Sequence, residues 1–115
     1  MNFWSARISL VVLVDEAKPR KTHLWDEIVI VFRAKDYKHA FTRALQIGRS
    51  HETEYLNCDQ RRVRWALVEI ENLDPVGRVM DGAEVASRLK HRRSKEPIPF
   101  DTVFHPENSD PGQSF

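Results

Sequence analysis

The clearest pattern in the chain is an alternation of period two near its start. Trp4, Ala6, Ile8, Leu10, Val12 and Val14 fall on one side, and Ser5, Arg7 and Ser9 on the other. Side chains of an extended strand point alternately to opposite faces, so this predicts a half-buried strand. Val11 and Leu13 break the polar side near the end, which predicts that this end is covered on both faces. The polar stretch 15–22, DEAKPRKT, is longer than a two-residue hairpin turn and reads as a loop between antiparallel strands. A second strand is expected over 25–34. Its centre, Ile28 to Phe32, is apolar throughout and mostly β-branched, the composition of a strand packed on both sides.

Asp36 stands where a helix N-cap belongs, since its short carboxylate can accept from a free amide and its charge suits the helix dipole. After it Tyr37, Ala40, Phe41, Ala44, Leu45 and Gly48 recur at helical spacing, with Lys38, His39, Thr42, Arg43 and Gln46 on the other side. Ala40 and Ala44 let such a helix lie close to a sheet, and Gly48 is either a cap or a close-approach point. Glu52, Glu54 and Tyr55 leave a further turn or two open. Asn57-Cys58-Asp59 reads as a turn.

A third strand is expected over 62–73 and ends at 72–77, NLDPVG. Within it Val63, Trp65 and Leu67 on one side and Ala66, Val68 and Ile70 on the other predict two covered faces. The stretch 81–89 suits a short helix through Val85 and Leu89, or a short edge strand through Val85, Ser87 and Leu89; the reading adopted is the strand. Residues 91–115 are proline-rich and without sustained periodicity, and read as a mostly irregular tail after a single domain over 1–90. The expected class is α+β: a three- to four-stranded, mainly antiparallel sheet with one main helix on one face. A right-handed crossover makes strands two and three parallel to each other. With strand one between them the order is 2-1-3, although the composition of strand two points to the middle of the sheet.

Composition narrows the function classes. The chain of 115 residues suits one domain, with 41% hydrophobic and 30% charged residues. A net charge of +1 gives no global pull toward nucleic acid or membrane. A single cysteine, Cys58, forms no internal disulfide, which fits a reducing cytoplasm. The apolar run after Arg7 is interrupted by Ser9, stops at Asp15 and is too short to span a bilayer, so neither an export signal nor a membrane association is expected.

An ordered set of short features is familiar. Trp4-Ser5-Ala6 opens strand one, an apolar strand ends at Ala34, and Ala40 lies in the helix. Tyr55-Leu56-Asn57 precedes strand three, Trp65 lies within it, and Asp81-Gly82-Ala83-Glu84-Val85 follows. Over about Phe3 to Leu89 the chain resembles the small bacterial family known as domain of unknown function 4288. That resemblance implies a compact stand-alone domain and carries no activity, cofactor or catalytic residue with it.

The chemistry-bearing residues divide into groups. His51 with Cys58 offers two zinc-type ligands but no second pair at ligand spacing, so no metal site is expected. No catalytic residues and no cofactor are assigned. Trp4 and Trp65 read as core, whereas Trp25, beside Asp26-Glu27 at a strand start, reads as the exposed aromatic. The candidate binding surface is therefore Trp25, Glu27, Tyr55, Asn57, Asp81 and Glu84. The basic clusters 61–64 and 88–95, with Arg61, Arg62, Arg64, Arg92 and Arg93, form an alternative nucleic-acid surface. In strand three, however, the arginines alternate with Val63 and Trp65 as a solvated face does.

The function expected from these readings is a non-catalytic cytoplasmic module that presents a sheet face or strand edge to a protein partner or to its own copy. An immunity-type protein that blocks a toxin is one form of it. Nucleic-acid binding through the two basic clusters is the alternative. A further one is a small enzyme built on carboxylates around Glu27 and Glu84 or on the His51/Cys58 region.

Overall fold

The structure is a computed structural model that describes residues 2–77 and 87–112. Its strands are β1 (Asn2–Val14), β2 (Thr22–Ala34), β3 (Thr53–Leu56), β4 (Arg62–Gly77) and β5 (Ser87–Arg93), with one α-helix, α1 (Tyr37–Ser50). They form a five-stranded antiparallel sheet in the order β3-β4-β1-β2-β5. The α+β class and the placement of strand one between its two long neighbours match the sequence reading. The composition of β2 also finds its explanation, because β5 lies on its outer side and makes it an interior strand.

One strand, β3, is added to the three or four expected, and the expected edge strand has other bounds. Where further helical turns stood open, the chain leaves α1 at His51 and forms β3, pairing Tyr55 with Val63. Pairing with the β4 edge offers these backbone groups more partners than a frayed helix end does. The edge strand expected before Leu89 instead runs to Arg93, pairing with Thr22–Ile28 of β2. Much of the basic run that reads as an irregular tail is therefore strand. Asp81 and Glu84 lie outside the described residues.

β4 continues past Asn72 to Gly77 and is longer than its partner β1. The register skips Val68, Glu71 and Val76, so each is an extra residue opposite β1. Because of these bulges Leu67, Ile70 and Leu73, three apart in sequence, all join the helix-side core. Pro75, which has no N–H to give, stands beside one of them.

Helix α1 is fixed at its start by Asp36, whose Oδ1 accepts from the His39 amide at 2.8 Å. His39 Nδ1 accepts in return from the Lys35 amide at 3.0 Å. Its buried stripe is Ala40, Ala44 and Gly48, small residues that bring the backbone onto the sheet. A Cβ at Gly48 would lie 2.8 Å from Leu67 Cδ2, so this glycine is a close-approach point and not a cap. Beneath the helix lie Ala6, Ile8, Leu10, Ile30 and Phe32.

The opposite face carries a second core of Val11, Leu13, Trp25 and Ala66. Ile98, Phe100 and Phe104, from the segment after β5, pack against it. Val11 and Leu13 thus interrupt the polar face of β1 because this end of the strand is covered on both sides.

Candidate functional site

The two edges of the sheet differ. Along β4 a row of outward backbone groups has partners. β3 pairs with Arg62–Trp65, and beyond it the Leu67 amide donates to Glu52 Oε2 at 3.1 Å. The Ile70 amide donates to Ser109 Oγ at 3.0 Å, and the Leu73 amide to the Gly112 carbonyl at 3.1 Å. The Gly112 amide closes the row on the Glu71 carbonyl at 2.9 Å. The bulges set Leu67, Ile70 and Leu73 at the same outward phase, and the chain meets each with a different device.

At the other end of the sheet, β5 pairs with β2 on one side and with no strand on the other among the described residues. Leu89, His91 and Arg93 of this strand are exposed, Leu89 to 54%. The register sets Leu89 opposite Asp26, His91 opposite Leu24 and Arg93 opposite Thr22. Asp26 and Leu24 pair in turn with Leu10 and Val12, which places this set on the helix-bearing face.

Of the sequence-derived surface, the four described residues Trp25, Glu27, Tyr55 and Asn57 do not share one site. Trp25, expected to be exposed, is 8% exposed and belongs to the second core. Its ring is large enough to fill the space under the docked C-terminal segment, and the Arg92 guanidinium lies 4.4 Å from its centroid. Glu27 lies on that same face near Glu69, Glu71, Arg7 and Arg92. Burial, followed by the charges of Glu27 and Glu69, holds the Glu71 carboxyl above its ordinary value, and Arg92 and Arg7 oppose this.

Asn57 has a structural task. Its Oδ1 accepts from the amides of Asp59 at 2.9 Å and Arg61 at 3.0 Å, closing the β3–β4 turn. Tyr55 borders a concavity, a hollow of about 340 Å³ beyond the end of α1. Leu10 and Ile28 floor it, and Asp26, His51, Thr53 and Trp65 complete its wall. The Trp65 indole donates to the Tyr55 hydroxyl at 3.2 Å, so two of its polar groups serve each other. Sequence reading missed Asp26 and Thr53 here because a fold is needed to bring β2 and β3 to one hollow. His51 and Cys58 lie beyond opposite ends of β3, whose four residues alone span about 13 Å at the rise of a strand.

The arginines of β4 are engaged. Arg61 meets Glu16 at 2.8 Å, and Arg62 meets Asp15 at 2.8 Å and stacks 4.8 Å from the Phe100 centroid. The hydrogen bond and charge of Asp15 raise the affinity of the Arg62 guanidinium for its proton. Arg64 donates to the carbonyls of Phe100 at 3.0 Å and Thr102 at 2.7 Å. Arg92 lies over Trp25, and Arg93 is exposed at the end of β5.

A two-layer α+β domain that ends on the four-residue β3 at one side and on the seven-residue β5 at the other, with no strand beyond either among the described residues, is what these contacts define. The chain belongs to the family described as Domain of unknown function (DUF4288), whose model matches residues 3–87. The match ends at the first residue of β5. Neither the curated proteins nor the solved structures give a match to the chain. Among the described residues no helix is long and apolar enough to cross a membrane.

Proposed function

We propose that this chain is a non-catalytic protein-binding module whose docking element is the outer edge of β5. The observation that carries this reading is the contrast between the two end strands: β3 has only four residues, whereas β5 offers seven with no strand on its outer side among the described residues. An exposed strand edge offers a row of backbone donors and acceptors that an extended partner can complete. The chain spends Glu52, Ser109 and Gly112 to satisfy the β4 side and commits nothing among the described residues to the β5 side. The exposed, unpaired Cys58 supports action in a reducing compartment. The alternative of a nucleic-acid surface loses support at 61–64, where acids and carbonyls of the chain itself hold the arginines.

The test compares the two edges. Leu89→Ala/Arg93→Ala alters the β5 edge, and Tyr55→Ala alters the β3 edge. A protein retained by the native chain is expected to be lost with the first variant and kept with the second. Equal retention by both variants, or loss only with Tyr55→Ala, rejects β5 as the docking element.

A further inference from the structure

We propose that the occupant of the β5 edge is an extended acidic segment of another protein. It carries carboxylates at alternate positions and an apolar residue in register with Leu89. This rests on the reading of β5 as the docking edge. The sequence of the strand is SRLKHRR. On the helix-bearing face the register leaves Leu89, His91 and Arg93 in a row, all exposed. A strand added beside β5 would lie about 4.8 Å away, with every second side chain directly opposite this row. Opposite charges facing across a strand pair attract and like charges repel. The row therefore selects an apolar residue against Leu89, an acid against Arg93, and against His91 a carboxylate or other acceptor for the imidazole N–H. On the other face Arg92 is held over Trp25, which fixes its charge beside the same edge.

Two other occupants fit less well. A second copy of the chain would bring SRLKHRR against itself and set cations against cations, the arrangement by which edge strands resist self-pairing. A nucleic acid supplies anions but no N–H and C=O ladder for the strand edge and no apolar partner for Leu89. The basic groups that would extend its track, Arg61, Arg62 and Arg64, are held by Asp15, Glu16, Phe100 and Thr102.

The experiment measures anisotropy of labelled ten-residue peptides with the full chain. One peptide carries alternate glutamates and one valine on the same face. The second replaces each glutamate with lysine, and the third is the acidic peptide N-methylated at alternate backbone positions. The native chain is expected to bind the acidic peptide at least about tenfold more tightly than either of the others. In His91→Glu/Arg93→Glu the preference should invert toward the lysine peptide. Both positions are exposed, and circular dichroism checks that the fold is retained.

If acidic and lysine peptides bind alike but N-methylation weakens both, the acidic occupant is overturned and the docking edge stands. If the acidic peptide ignores N-methylation and a single-stranded oligonucleotide displaces it, the edge is overturned with it. No binding of any peptide at about 1 mM overturns both.

Discussion

The guanidinium of Arg92 lies 4.4 Å from the centre of the Trp25 ring. This contact ties the last part of β5 to the second core, so the basic edge and the packing beneath it are coupled. Trp25→Ala is expected to cost about 3–4 kcal/mol, the usual cost of removing a buried large aromatic. Arg92→Ala should cost about 0.5–1 kcal/mol, the scale of an exposed cation–π contact. Denaturant titration of both and of the double variant measures the pair. The double variant should be less destabilised than the sum, by roughly the cation–π energy; strict additivity would remove the coupling.

Gly48→Ala tests how closely α1 lies on the sheet. In an exposed helix the exchange gains about 1 kcal/mol. Here the new Cβ meets Leu67 Cδ2 at 2.8 Å, in a core where Leu67 and Ile8 have almost no free surface. Overpacking is expected to outweigh the helix gain, for a net loss of about 1 kcal/mol. The loss should shrink against a Leu67→Ala background, as read by thermal unfolding of the four chains in the cycle. A stabilised Gly48→Ala would mean that the leucine yields freely.

Glu71 gives the chain a pH dependence of known sign. Its carboxyl is held above its ordinary value by burial first and by Glu27 and Glu69 second. Between the ordinary value and the raised one, the folded chain keeps a proton that the unfolded chain has lost. This contribution to stability is therefore fully present below the ordinary value and is lost as pH rises through the raised one. Glu71→Gln should be the more stable chain at neutral pH, and the difference should close on acidification. Urea titrations at a series of pH values show it; a constant difference across the series rejects the assignment.

Gln60 closes the β3–β4 turn with φ 60, a left-handed backbone that costs a side-chain-bearing residue about 1 kcal/mol. Gln60→Gly relieves that cost but frees the unfolded chain, so a net gain of about 0.5 kcal/mol is expected. Asn57→Ala should move the other way by about 1 kcal/mol, since two turn amides lose their acceptor. Both are read as midpoint shifts in denaturant.

The docked C-terminal segment is held by Phe100 and Phe104 on the second core. Both are partly buried, so Phe100→Ala/Phe104→Ala should cost less than full burial implies, about 2–4 kcal/mol in total. The variant should also bind a hydrophobic dye that the native chain does not, because Val11, Leu13 and Trp25 lose their cover. Native-like dye response together with native stability would place the segment outside the core.

The long strands and the helix were legible because their periodicities are local. The alternation of Trp4 to Val14, the apolar run of β2 and the Asp36 cap each follow from neighbouring residues. The 2-1-3 order followed from placing strand one between the two parallel strands, where it is antiparallel to both. What escaped was everything set by pairing at a distance. β3 has only four residues, and it is a strand because β4 lies beside it. The bulges of β4 replace a period of two with spacings of three, which hides the shared face of Leu67, Ile70 and Leu73. Trp25 reads as exposed because charges flank it in sequence, yet its cover comes from residues more than seventy positions later. Of the described residues in the binding set, only Tyr55 borders the hollow, because convergence depends on strand order and on face.

Among the described residues the sheet ends on a strand of four residues at one side and of seven at the other, so it receives a partner strand chiefly at one side. A segment that adds to β5 can be received along its length, but β3 is too short to hold a further strand well. Such a domain ends a stack of strands and does not extend it. Complexes formed through it should have a fixed stoichiometry and should not grow into fibres, whatever the concentration.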